Sequence, residues 1–212
     1  MGHGKFRYEP EGRLCPHCNS FERTRHFWLY LEQEKILDSK PTFLHFAPEQ
    51  GLEKRLRAIL GDFYKTTDLE MPGVDLRENI TSMAIPVNSF DFIYCSNVLE
   101  HVEDDAAAME ELHRILVPGG TAVIQVPIRG ESTYEDPSIT DPAERVVQFG
   151  QSDHVRYYGR DIIKRLSCAG FTVEDIYMLD FLKLSQDNIV RMNLGKRELI
   201  HICRKPSSGS QG

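Results

Sequence analysis

Residues 89–128 read SFDFIYCSNVLEHVEDDAAAMEELHRILVPGGTAVIQVPI, and this stretch decides the fold. Phe90 to Ser96 is a nearly continuous apolar run, as expected of a strand buried on both faces. From about Asp105 to Leu116, Ala108, Met109, Leu112, Ile115 and Leu116 recur at helical spacing. Glu103, Asp104 and Asp105 suit the positive end of that helix. Pro118-Gly119-Gly120 is a turn signal, and Thr121 to Ile128 is a second apolar strand. A strand, a helix of about ten residues and another strand predict a parallel pair with a crossover.

The same alternation extends outward. Upstream, a helix is expected from near Ser20, with Asn19 and Glu22 spaced as a capping box. Thr42 to Phe46 is a short strand. Leu52, Leu56, Ile59 and Leu60 then mark a helix closed by Gly61. Phe63 to Thr67 is a second strand and Val74 to Leu76 a weak third. Downstream, Arg129 to Asp153 is polar and without period. A helix over Arg160 to Ala169 and strands at Phe171 to Leu179 and Glu198 to Cys203 close the domain. Right-handed crossovers then give an α/β, doubly wound, mainly parallel seven-stranded sheet with helices on both faces. Such sheets bind ligands at the carboxyl ends of their strands. The site is therefore expected at the turns after Phe46, Thr67, Ser96 and Ile128.

Composition agrees with one domain. The 212 residues are 41% hydrophobic and 27% charged, enough to build a core. No apolar run approaches the roughly 20 residues of a membrane span. The opening residues MGHGKFRYEPEGR lack the apolar core of a signal peptide. The five cysteines are an odd number, which fits a reducing, cytoplasmic setting better than a disulfide framework. A net charge of −7 makes a broad nucleic-acid-binding face unlikely to be the design. The expected organisation is an extension over 1–40 with a CPHC knuckle and a helix that, with Arg129 to Asp153, caps the ligand pocket, then a domain over 41–205 and a disordered tail over 206–212.

The string SFDFIYCSNVLEHVEDD followed by MEELHRILVPGGTAVIQVPI closely resembles class I S-adenosylmethionine-dependent methyltransferases, in particular the methyltransferase-domain branch. The resemblance covers about residues 42–180. It implies methyl transfer from S-adenosylmethionine, with S-adenosylhomocysteine as product. It implies cofactor contacts at Phe46, Ala47, Pro48, Glu49 and Gly51, at Asp68 and Leu69, at Asn79 and Ile80, and at Asn97. On this alignment Asp68 meets the ribose diol and Asn79 the adenine edge, while Ile80 packs on the ring. Read from its residues alone, Asp68 is equally a turn or cap aspartate. The chain departs from the family in its first turn. His45 stands at the acidic position, Ala47 and Glu49 stand at two glycine positions, and only Gly51 matches. Glu49 could instead pair with the methionine ammonium. A nicotinamide-dependent reading shares Asp68, but a pyrophosphate would need the missing glycines. A non-catalytic relative that keeps the fold as a binding module is the alternative function.

A hydroxyl acceptor needs a base near the strand ends. Glu100 and His101 lie there, and so does His154 within FGQSDHVRYYG. His101 and His154 are the expected catalytic residues. The opposing readings are that His101 supports the cofactor loop and that Tyr157 and Tyr158 merely anchor theirs. The acceptor is expected to be a small molecule or an exposed group, with no membrane partner. Cys15-Pro-His-Cys18 forms half of a tetrahedral zinc site. Either it holds no metal, or zinc on Cys15 and Cys18 is completed by local histidines (His3, His17 or His26) or by another chain. Cys95, Cys168 and Cys203 are expected to fill the core. Arg23, Arg25 and His26 form a small basic group at a helix start.

Overall fold

The computed structural model describes residues 14–15, 20–194 and 198–207. A helix α1 (Glu22–Gln33) precedes a seven-stranded sheet. Its strands are β1 (Phe43–Phe46), β2 (Tyr64–Asp68), β3 (Leu76–Arg77), β4 (Phe90–Ser96), β5 (Leu116–Gln125), β8 (Thr172–Tyr177) and β9 (Leu199–Arg204). They lie in the order β3-β2-β1-β4-β5-β9-β8. β1 to β5 pair in parallel, and β9 runs antiparallel to both β5 and β8. Helices α2 (Gln50–Leu60), α3 (Asp105–Ile115) and α5 (Ile162–Cys168) make the crossovers. The switch in strand order falls between β1 and β4, so the first turn and the loop after β4 face one crevice.

Alternation along the strands separates two cores. Leu44, Phe46, Ile93, Cys95, Ala122 and Ile124 point to the face covered by α3 and α5. Phe43, Phe92, Tyr94 and Val123 point to the other, where α1 and α2 pack. Phe27 of α1 stacks on Tyr94 with ring centroids 3.6 Å apart and planes 4° off parallel. The N-terminal helix is thus part of the domain's own core.

Several boundaries differ from the sequence reading. Asn19 lies outside the described residues, and α1 starts after Phe21 with no side-chain cap. The third strand is only Leu76–Arg77. The fifth includes Pro118-Gly119-Gly120, where the register shifts between Phe90 and Phe92. Both glycines are required: Gly119 has φ +82°, and a Cβ on Gly120 would meet the Asp91 carbonyl oxygen at 3.1 Å. The polar segment after β5 is ordered by a two-stranded ribbon, β6 (Tyr134–Glu135) with β7 (Arg156–Tyr157), and by α4 (Pro142–Phe149). Asp141 caps α4 through the Ala143 and Glu144 amides. Two short helices, α6 (Met178–Leu182) and α7 (Gln186–Arg191), interrupt the closing hairpin. Cys95 and Cys203 are buried core thiols, but Cys168 is exposed at the end of α5, so it is not a core filler.

Candidate active site

The first turn after β1 passes through the left-handed region at Ala47. Its φ of +46° disfavours a Cβ, and its amide donates to the Thr67 carbonyl at 3.0 Å. Pro48 and Glu49 lead into α2, and Gly51 lies in its first turn. Glu49 points into a buried polar network. Arg23 Nε donates to Oε1 at 3.1 Å and Thr24 Oγ1 lies 3.3 Å from the same oxygen. His45 Nε2 is 3.6 Å from Oε2, and His45 Nδ1 meets the Tyr64 hydroxyl at 2.7 Å. Burial pushes the Glu49 carboxyl up, but the His45 contact and the Arg23 charge outweigh it and hold the group below the usual carboxylate range. Oε2 has no hydrogen-bond partner. Arg23 is therefore part of the turn rather than of a solvated basic face. Arg25 donates to the Met192 and Asn193 carbonyls, and His26 is fully buried.

At the end of β2, Asp68 Oδ1 accepts from the Glu70 and Met71 amides, both at 2.8 Å. This turn leaves its other oxygen for a ligand, and Leu69 beside it is exposed. Asn79 Oδ1 is taken up by the Thr81 amide and hydroxyl, at 3.1 and 2.9 Å. An adenine edge would therefore meet its Nδ2 donor rather than the oxygen. Ile80 is buried in the core.

After β4 the chain turns at Asn97, φ +54°, whose amide donates to the Gln125 carbonyl at 2.9 Å. Its side chain donates to Glu100 Oε1 at 3.0 Å. Glu100 is 1% exposed, its Oε2 has no partner, and burial pushes its pKa up to about 7. His101 and His154 stand edge to face with centroids 4.6 Å apart. His154 Nδ1 lies 3.2 Å from the Phe149 carbonyl, and His101 Nδ1 lies 3.1 Å from Asp153 Oδ2. Burial, then the neighbouring His101, lower the His154 pKa below its ordinary value. The structure thus brings His101 and His154 together, from segments far apart in sequence.

The segment carrying His154 is clamped to this loop. The Val155 amide donates to the Glu100 carbonyl at 2.9 Å. Arg156 donates to the Leu99, Val102 and Glu103 carbonyls and to Glu135. Tyr158 is fully buried, with its hydroxyl 2.7 Å from Asp105 Oδ2. Arg156 and Tyr158 are anchors. Tyr157 instead lines a cavity of about 180 Å³ with Glu100, Pro127, Arg129, Phe149 and His154. Sequence reading missed the Arg23–Glu49 pair, because their distance along the chain carries no periodic signal.

Cys18 lies outside the described residues, as do His3 and His17, and Cys15 is half-buried.

Comparison with known proteins agrees with this architecture. Residues 37–124 match the family model described as "Methyltransferase domain". The ubiquinone biosynthesis O-methyltransferase of Psychrobacter arcticus is 26% identical over 132 residues, 58% of this chain and 51% of that protein. Phosphoethanolamine N-methyltransferase 1 of Arabidopsis thaliana is 31% identical over 137 residues, 53% of this chain and 26% of that one. The solved phosphoethanolamine N-methyltransferase 2 of Haemonchus contortus, in complex with phosphomonomethylethanolamine and S-adenosylhomocysteine, superposes with a TM-score of 0.52 at 16% identity. It covers 87% of this chain and 58% of that one. The chain spans about half the length, or less, of these two curated relatives. Over residues 37–124 the chain is similar to the methyltransferase-domain family, and its seven-stranded sheet has a Rossmann-like, mainly parallel order. No helix among the described residues is long and apolar enough to cross a membrane.

Proposed function

We propose that the protein transfers a methyl group from S-adenosylmethionine to a nucleophile bound in the cavity beside Glu100 and His154. The observation that carries this reading is the alignment of three ligand-competent turns along the carboxyl edge of the sheet. Those turns are Ala47 to Gly51, Asp68 to Leu69, and Asn97 to His101. The uncommitted Oε2 of Glu49 suits the methionine ammonium, and the free oxygen of Asp68 suits a ribose diol. Asn79 and Ile80 suit the adenine, with Phe46 and Pro48 at the turn between them.

When bound, the cofactor supplies an electrophilic methyl carbon on a sulfonium. The chain must hold the acceptor atom about 3 Å from that carbon, in line with the sulfur, and exclude water. The segment from Arg129 to Tyr157 supplies the cover. His101 and His154, with Glu100 beneath them, are the groups placed to take the acceptor's proton. The acceptor lone pair forms the new bond as the carbon–sulfur bond breaks, and sulfur leaves as the neutral thioether. The named relatives include an O- and an N-methyltransferase, so the acceptor is a hydroxyl or an amine. The cavity admits the reactive end of a small molecule or an exposed group on a larger one. Free thiols at Cys95, Cys168 and Cys203 accord with a cytoplasmic setting. Calorimetric titration with S-adenosylhomocysteine tests the cofactor assignment. Saturable one-to-one binding is expected, and none at high micromolar ligand would overturn it in favour of a non-catalytic binding module.

A further inference from the structure

Glu100, His101 and His154 each offer a metal-competent atom, and these atoms all lie within 4.8 Å of one another. One atom of each group is already engaged. Asn97 Nδ2 holds Glu100 Oε1, the Phe149 carbonyl sits at His154 Nδ1, and Asp153 sits at His101 Nδ1. These contacts leave Glu100 Oε2 and the two Nε2 atoms uncommitted. Metal-binding imidazoles are typically fixed this way, by a carbonyl or carboxylate on the far nitrogen. Oε2 of Glu100 is an orphaned buried oxygen, an arrangement that ordinarily costs free energy unless a partner arrives. The cavity lined by Glu100 and His154 leaves room for an open coordination position.

We infer that Glu100, His101 and His154 form a binding site for a divalent transition-metal cation of the zinc or cobalt kind. Two imidazoles and one carboxylate favour such cations over magnesium or calcium, which prefer all-oxygen shells. Bond lengths of roughly 2.0–2.2 Å require the three atoms to draw closer than 4.8 Å. The His101 side chain is 31% exposed and its Asp153 partner is 64% exposed, so the pair can shift together toward the other two groups. Arg129 and Arg156 oppose the cation's charge from the cavity wall, the latter already paired with Glu135, whereas Asp153 supports it. With a cation bound the two imidazoles would be ligands and no longer bases; the cation would replace that role by binding an acceptor oxygen directly and stabilising it as the oxyanion, with the proton passing to solvent. The site itself rests on this geometry and not on the methyl-transfer reading.

The test is cobalt(II) titration of the full chain in a Cys15→Ser/Cys18→Ser/Cys168→Ser background, which removes the accessible competing thiols. One equivalent should bind with visible d–d bands and no sulfur-to-cobalt charge-transfer band. His101→Ala and His154→Ala should each weaken binding by at least about tenfold, and Asp153→Asn by roughly 10–100-fold as a ligand-orienting residue. His101 is partly exposed, so its variant keeps the test intact if the His154 variant fails to fold. No cobalt uptake, or uptake unchanged in the folded His101 variant, would overturn the inference. S-adenosylhomocysteine titration of the same samples reads the cofactor separately. Cobalt binding without it would overturn the methyl-transfer reading alone, and the reverse result would overturn the cation site alone.

Discussion

Glu100→Gln removes a charge that the fold holds at a loss. The carboxyl is 1% exposed, and burial raises its pKa from 4.5 to about 7. The folded-state value lies above the unfolded one. This group therefore contributes no penalty below pH 4.5, and its cost grows as pH rises from 4.5 to 7 and is complete above that. The gap corresponds to about 3 kcal/mol at roughly 1.4 kcal/mol per pH unit. Glutamine keeps the acceptor for Asn97 Nδ2 without the charge. With a chelator present, urea unfolding at pH 8 should show the variant more stable than the parent by up to about 3 kcal/mol. The melting temperature should rise by roughly 6–12 °C. At pH 5 the two proteins should nearly coincide. A difference that is the same at both pH values would refute the reasoning, because it would mean that Glu100 is not held near neutrality by its burial. Added zinc should reverse the order at pH 8, by stabilising the parent more than the variant.

Phe27→Ala, which empties the stack on Tyr94, should cost about 3–5 kcal/mol in urea denaturation and unseat α1. Ala47→Gly should stabilise by about 1 kcal/mol in the same assay, since φ +46° suits glycine. Asp68→Ala should weaken S-adenosylhomocysteine at least about tenfold by calorimetry. Two charge-assisted hydrogen bonds to a diol would be lost there. His26 is buried without a hydrogen-bond partner on either nitrogen, and burial lowers its pKa to about 4. Its stabilising contribution is present above pH 6.5 and is lost as pH falls towards 4. His26→Leu should therefore flatten the acid limb of a pH–stability curve over that window.

The sheet was legible because its signals are local and strong. FDFIYCS can only be buried on both faces, and the spaced apolar residues of α3 require one covered side. The weak elements were the short ones. The β3 strand has two residues, and the ribbon of β6 and β7 is stabilised by Arg156, Arg165 and Glu135 rather than by apolar pattern. No period marks such elements. The site divides the same way. Turns at strand ends follow from topology, so Asp68 and His101 could be placed. The pairing of His101 with His154 could not, because it depends on a loop clamped by carbonyl contacts to Arg156.

The first turn depends on the helix that precedes it. Without a side chain at position 49, this end of the crevice would present only backbone. Here a glutamate enters the protein, where His45 and the arginine supplied by α1 hold its carboxyl below the usual range and Thr24 of α1 adds a hydrogen bond. His45 completes the network with Tyr64. A charge buried with only one of these partners would be strongly destabilising, so His45 and Glu49 make sense only with α1 in place. The coupling also runs the other way. Packing of Phe27 on Tyr94 fixes the register of α1, and that register sets Arg23 and Thr24 against Glu49. Disturbing the far end of α1 should therefore reach the proposed cofactor crevice, although Phe27 itself has no place in it. Phe27→Leu, which keeps an apolar side chain, should lower S-adenosylhomocysteine affinity along with stability. An unchanged affinity in a destabilised but folded variant would show that Glu49 is held independently of the helix.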